Sequence, residues 1–176
     1  GDIVVNMKDG QLKECYFRVV EAPRYFESFC RGHRYDEMSF ITSRICGICG
    51  VGHTLTSLKA TEAAMGVTVS HQTAQLRKLL ADASFLQSHI LHIYFLVAPD
   101  LAGVGSVFPL VEAAPEVVQR ALRLKKLAND YCDLLGGRTI HPTNTWVGGF
   151  TWIPEAKDLE ALGKRLEDAK DDILAT

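Results

Sequence analysis

Apolar and polar positions change their period along this chain, and each change marks an element. Ile3-Val4-Val5-Asn6-Met7 is rich in strand formers, Lys8-Asp9-Gly10 offers an Asp-Gly turn, and residues 12–20 return with Tyr16, Phe17, Val19 and Val20. Asp-Gly accepts the positive φ that a tight hairpin demands, so a β-hairpin is predicted. Residues 22–34 read as a short helix or an aromatic-rich loop. From Cys46 onward the pattern turns helical. A first helix over Gly50–Met65 is closed by Gly66. Ser70 caps a second, which runs to about Val97 and stops before Pro99. The second half of that helix, Phe85 to Val97, is apolar on nearly every face, which predicts a place inside a bundle. Pro115 opens another helix and Gly136-Gly137 close it, with Val117, Ala121, Leu124, Ala128, Tyr131 and Leu135 forming one apolar stripe. A last helix starts near Pro154, where Leu159, Leu162, Leu166, Ala169 and Ile173 again step by three and four. That helix is predicted to be uninterrupted at Thr176. The fold class that follows is mainly α, with a small N-terminal β-hairpin or sheet against a bundle of long helices.

Composition narrows the function classes. The chain has 176 residues, 19 basic and 21 acidic, with a net charge of −2 and no cluster of one sign. That distribution gives no electrostatic footprint for nucleic acid or for an anionic membrane surface. Its 47% hydrophobic content fits a globular chain. Five cysteines with a single close pair argue against a disulfide framework and for a reducing compartment, so a cytoplasmic protein is expected. The most apolar run, 90–98, is about half the length of a membrane span, and no insertion is expected. No leader pattern opens the chain. The first residue is Gly1 rather than Met and the last helix lacks a breaker, so residues 1–176 are expected to be a single partial domain of something longer.

The chemistry concentrates in Arg44-Ile45-Cys46-Gly47-Ile48-Cys49-Gly50-Val51-Gly52-His53. Two thiols three positions apart can converge on one soft metal ion across a short turn. The glycines remove bulk where backbone and cofactor must come close. His53 follows Cys49 by one helical turn, near enough to hydrogen-bond a sulfur from outside the ligand set. A C-x-x-C pair alone also suits a zinc site or a redox pair, although the latter wants a βαβ context that is absent here. Cys30-Arg31-Gly32-His33 with Cys46 and Cys49 completes a formal Cys₃His zinc set. Cys15, Cys30 and Cys132 read as small buried hydrophobes.

The ten-residue stretch resembles the R-x-C-G-x-C-x-x-x-H motif of the nickel–iron hydrogenase large subunit, and every fixed position is filled. The resemblance covers most of the chain and is nearest the cytosolic bidirectional group. It implies Cys46 as a terminal nickel thiolate, Cys49 as a bridge between nickel and iron, and His53 as a hydrogen-bonding neighbour of Cys49. The family places a glutamate nineteen residues ahead of its first cysteine, in an R-G-x-E-like element that helps hold magnesium; the count lands on Glu27, within Arg24-Tyr25-Phe26-Glu27. Here Tyr25 stands where the family has glycine. Residues 88–100 look like the family's long central helix. Gly136-Gly137-Arg138-Thr139-Ile140-His141-Pro142 looks like its G-G-R-x-x-H-P element, where His141 would shape the cofactor region or a partner-facing surface without being a ligand. His89 and His92, three apart, read as hydrogen-bonded core groups. The family's later loop often carries Pro-Gly-Gly, against Val147-Gly148-Gly149 here.

Two further family elements have no counterpart in this sequence: a D-P-C-x-x-C motif that supplies the other two thiolates, and an R-x-E-G-H element whose glutamate relays protons. The resemblance therefore implies part of a catalytic subunit that splits dihydrogen heterolytically, inactive as this piece alone. It also implies an iron with small inorganic ligands and an iron–sulfur small subunit as electron-accepting partner. Two other readings are a zinc-stabilised interaction domain and the metal-free large-subunit scaffold of respiratory complex I; retention of both cysteines argues against the last.

Overall fold

The computed structural model describes residues 1–20 and 25–176; the predicted aromatic-rich segment 22–34 thus lies partly outside the described residues, as does Arg24. Strands β1 (Asp2–Lys8) and β2 (Gln11–Arg18) pair antiparallel. Asp9 and Gly10 join them at φ of 54° and 73°, the positive pair that a two-residue hairpin turn needs. The pairing sorts the side chains by face. Ile3 opposes Phe17, Val5 opposes Cys15 and Met7 opposes Leu12, whereas Asp2 meets Arg18 and Asn6 meets Glu14. One face therefore sets Val4 and Tyr16 between two polar pairs and is held by the Arg18–Asp2 ion pair at 2.7 Å. The other is apolar, and Ile3, Val5, Met7, Leu12 and Phe17 are each more than half exposed. Cys15 is exposed there and Cys30 half-buried, so of the three cysteines expected in the interior only Cys132 lies in it.

Helices follow: α1 (Phe26–Cys30), α2 (Met38–Ser43), α3 (Gly50–Met65) and α4 (His71–His92). A π-helical turn over Ile93–Val97 leads into α5 (Ala98–Leu101); then come α6 (Leu110–Ala113), α7 (Pro115–Gly136), α8 (Ala156–Asp168) and α9 (Lys170–Leu174). Gly66 closes α3 in the left-handed conformation, Ser70 accepts the Thr73 amide at the start of α4, and Gly137 closes α7, as the sequence predicts. Short strands β3 (Thr145–Trp146) and β4 (Gly149–Phe150) form a second hairpin.

The core lies between α4 and α7. Leu76, Leu80 and Ala83 pack with Leu127, Tyr131, Cys132 and Leu135, joined by Val51 of α3 and Leu162 of α8. Ile90 and Tyr94 pack with Ala121, Leu124 and Ala128. Early α4 thus meets late α7 and late α4 meets early α7, so the two run antiparallel. Gln87 ties them with polar bonds to Asn129 Oδ1 at 3.0 Å and to the Thr139 carbonyl at 3.2 Å.

Three helix expectations change. The helix from Ser70 does not stop before Pro99: the wider π turn carries the chain through a buried Pro99 to Leu101. In an α-helix the ring would strike the carbonyl four residues back, and the wider turn relieves that clash. Phe85 to Val97 is buried on one side only, with Phe85, Ile93 and Leu96 exposed. His89 and His92 are likewise exposed rather than in the core, though His89 Nδ1 bonds the Phe85 carbonyl at 2.7 Å. The last helix is not continuous, because it breaks at Ala169 between α8 and α9. Among the described residues no helix is long and apolar enough to cross a membrane.

Candidate metal centre

Cys46 and Cys49 lie in the turn between α2 and α3. Cys49 is the residue before the first turn of α3, and the buried Gly50, Val51, Thr54, Leu58 and Glu62 fix that helix by one face. The turn curls so that two backbone amides aim at one sulfur: Ile48 N–H and Cys49 N–H donate to Cys46 Sγ at 3.4 and 3.1 Å. Two such donors beside a helix N-terminus favour a sulfur that carries negative charge. The Cys49 thiol lies against it. Its pKa is raised, first by burial and then by its hydrogen bond to the Cys46 side chain. A metal binding here must displace that proton. The donor set is two soft sulfurs side by side, which fits a thiophilic metal and leaves the rest of its coordination shell to other groups.

The other predicted site residues lie apart. The His53 side chain lines a groove between α2 and α3 with Met38, Thr42 and Ile45. Glu27 is in the first turn of α1, exposed, with its carboxylate on Arg31 at 2.9 Å. His33 Nδ1 faces Glu37 at 3.3 Å. Among the described residues no three His, Cys, Asp or Glu side chains gather as a metal-holding group, so Cys30, His33, Cys46 and Cys49 do not assemble the Cys₃His alternative.

Tyr25 carries information of a different kind. It has φ 57° and ψ 26°, the left-handed conformation, at the position where the resembling family has glycine. The turn into Glu27 thus keeps a glycine-like backbone under a bulky side chain, at a cost of about 1–2 kcal/mol. Tyr25 is 74% exposed, so its ring contributes little packing. Tyr25→Gly is expected to stabilise the protein by about 1 kcal/mol, after the entropy glycine loses on folding is set against the relieved strain. Urea unfolding midpoints check this; an unchanged or lower midpoint refutes the strain argument.

Sequence reasoning missed what holds the site in place. Glu62 of α3 and Arg77 of α4 form a buried bidentate pair at 2.6 and 2.8 Å. Glu62 also accepts the Gly148 amide at 2.8 Å, and Arg77 donates to the Trp146 carbonyl at 2.9 Å. Asn144, fully buried, donates to the Leu135 and Trp152 carbonyls, each at 3.0 Å, and accepts from Thr151 Oγ1 and the Trp152 amide. His141 Nδ1 bonds the Ser43 carbonyl at 2.8 Å, which ties the α7–β3 loop to the end of α2. Residues 137–141 and Gly47 line an open cleft of about 590 Å³ beside the cysteine turn.

Comparison with known proteins identifies the family. The family model for nickel-dependent hydrogenases matches residues 24–121. Sulfhydrogenase 1 subunit alpha of Pyrococcus furiosus is 36% identical over 169 residues, covering 96% of this chain and 40% of that protein. The NAD-reducing hydrogenase HoxS subunit beta of Cupriavidus necator is 32% identical, covering 85% of this chain and 33% of that one. Among solved structures, an NAD+-reducing nickel–iron hydrogenase in its dihydrogen-reduced state superposes with a TM-score of 0.83 at 28% identity, over 98% of this chain and 40% of that chain. A nickel–iron–selenium hydrogenase of Desulfomicrobium baculatum gives 0.71 at 26% identity over the same shares. The chain spans about 40% of the length of the first of these relatives. With its cysteine turn inside the matched region, the chain belongs to the nickel-dependent hydrogenase family.

Proposed function

We propose that this chain is part of the catalytic subunit of a nickel–iron hydrogenase, in which Cys46 and Cys49 supply two of four thiolates to the metal centre. The observation that carries the reading is the turn itself: paired amides on Cys46 Sγ and the Cys49 thiol alongside, within the family's motif. When bound, the nickel–iron pair, its iron bearing small inorganic ligands, supplies the Lewis acidity and electron-pair acceptance that heterolytic cleavage of dihydrogen needs. The chain's own residues do the holding. Cys46 would be a terminal nickel ligand, its sulfur oriented by the Ile48 and Cys49 amides. Cys49, its proton lost, would supply the second soft thiolate, the one shared between nickel and iron. His53 tunes Cys49 from one helical turn away, a role that takes its imidazole out of the α2–α3 groove. Glu27 would offer a hard oxygen to magnesium.

The remaining two thiolates and a proton relay come from other parts of the full-length subunit, and electrons leave through an iron–sulfur small subunit. Residues 1–176 act as one partial domain and are inactive alone. The protein works in the cytoplasm without nucleic acid or membrane insertion. The test is to purify the full-length protein anaerobically, then measure nickel and iron per chain and dihydrogen-dependent viologen reduction. Both metals with turnover are expected; zinc alone without turnover overturns the reading.

A further inference from the structure

We infer that His141 is a positioning residue for the metal: its imidazole clamps the cysteine turn from both ends and fixes how the two sulfurs are presented. This rests on the reading of Cys46 and Cys49 as metal thiolates.

The contacts bracket the motif. On one side Nδ1 meets the carbonyl of Ser43, the last residue of α2, at 2.8 Å. A carbonyl only accepts, so Nδ1 carries the proton. On the other side the same ring lies against Gly50, the first residue after Cys49. A Cβ at Gly50 would fall 2.9 Å from His141 Nδ1, so that the ring must shift, and 3.1 Å from the Ser43 carbonyl oxygen, which must give by a few tenths of an ångström. Gly50 is thus the gap that lets a rigid ring reach the backbone behind the thiols. Between these contacts stand only six residues, 44–49, and they contain both cysteines.

The ring is mounted on a stiff platform. His141 has φ 58°, a left-handed conformation uncommon for a side-chain-bearing residue, which persists when surroundings hold it. Pro142 behind it packs on Gly136, where an added Cβ would come within 3.0 Å of the proline ring. The Thr143 and Asn144 amides both donate to the Gly136 carbonyl at 2.9 Å. Asn144 then locks the loop through its four side-chain bonds. The clamp therefore refers the cysteine turn to the C-terminal end of α7, in the α4–α7 core. Groups that orient ligands in this way typically change metal affinity by about 10–100-fold when lost.

Three variants of the full-length protein with its partner subunits separate the clamp from general packing. His141→Gly keeps the positive φ at no strain and removes the donor. His141→Asn keeps an N–H near the Nδ1 position and tolerates the same backbone. Gly50→Ala keeps His141 but drives its ring off Ser43. Nickel per chain after growth in limiting nickel, and the electron paramagnetic resonance spectrum of the oxidised nickel, are the readouts. His141→Gly and Gly50→Ala should lose nickel about tenfold or show a shifted nickel spectrum. His141→Asn should stay within about twofold of wild type with the wild-type spectrum. Wild-type occupancy and spectrum in His141→Gly overturn the clamp, and so does His141→Asn falling as far as His141→Gly. Should His141→Gly fail to accumulate, Gly50→Ala against wild type decides in the same way. If wild type holds no nickel that Cys46→Ser and Cys49→Ser remove, the metal reading has failed and the clamp with it. If that nickel is present and indifferent to His141, only the clamp has failed.

Discussion

Cys49→Ser in the full-length protein should abolish dihydrogen-dependent dye reduction while leaving the fold intact. Cys49 is exposed at the head of α3, so the loss of its sulfur costs little packing. What serine cannot replace is a soft donor able to bind two metals at once. A hydroxyl is hard and does not ionise near neutral pH, whereas the Cys49 proton, although favoured by partial desolvation at its exposed position and by the Cys46 side chain, leaves to a thiophilic metal. Replacing His53 should lower turnover about 10–100-fold, as the role proposed for it beside the Cys49 thiolate requires. Cys132→Ala is the control. That thiol is 1% exposed in the α4–α7 core, and burial pushes its pKa to about 11, so it is neither accessible nor ionised. Its removal should leave turnover near wild type and cost about 1 kcal/mol of stability through lost contacts. Dye reduction on metal-loaded protein, with unfolding midpoints alongside, checks the order Cys49, then His53, then Cys132. Normal turnover in Cys49→Ser, or a Cys132→Ala defect as deep as that of Cys49, sinks the assignment.

The helical frame was legible because its signals are local. Gly66, Ser70, Pro115 and Gly137 act on the backbone within a turn of where they stand, and all four terminate or start helices where their chemistry says. Asp9-Gly10 works the same way on the hairpin. The cysteine turn was legible as spacing but not as geometry. Nothing in C-G-I-C reveals that two amides point at the first sulfur. Burial of Phe85 to Val97 was overestimated for a related reason: apolar composition tells which residues seek cover, not how much cover the chain supplies. The π turn escaped because Pro99 predicts a helix end from local sterics alone, whereas α4, the turn and α5 follow one another without a break, with Ile90 and Tyr94 packed on α7. The polar links were out of reach for another reason. Glu62 and Arg77 lie 15 positions apart on different helices, and neither segment carries a local signal of the other. Only the packing of α3 on α4, with the β3–β4 turn across the top, turns both inward. Ser43 and His141 are 98 positions apart, and no pattern in either segment announces the other.

Glu62→Gln should destabilise the protein by about 3–5 kcal/mol, more than Arg77→Met, because the two partners differ in how they tolerate desertion. Both side chains are 7% exposed. Glutamine keeps the shape but brings an amide nitrogen toward donors, and it leaves a buried guanidinium that cannot shed its charge. In Arg77→Met the carboxyl is the deserted partner, and it can take up a proton instead of staying charged. Replacing both, as Glu62→Leu with Arg77→Met, should recover much of the loss despite the orphaned Gly148 amide, since no charge then remains buried. A denaturant double-mutant cycle measures this, and additive single losses would show that the pair is not coupled. The pH dependence supplies an independent check. In wild type, burial alone would raise the Glu62 pKa, but Arg77 and the Gly148 amide outweigh it and hold the carboxyl below its ordinary value. A carboxyl whose pKa is depressed by folding contributes stability above its unfolded pKa of about 4.3, and that contribution is lost as pH falls through the folded value. Wild type should therefore keep the pair's contribution at neutral pH and surrender it only in acid. In Arg77→Met the Glu62 pKa rises, the sign of its contribution reverses, and the carboxyl favours folding where it is protonated. The stability difference between wild type and Arg77→Met should accordingly shrink as pH falls toward and below about 4. A difference that stays constant from neutral pH into acid would mean that Arg77 holds the fold by packing and by its bond to Trp146 rather than by its charge.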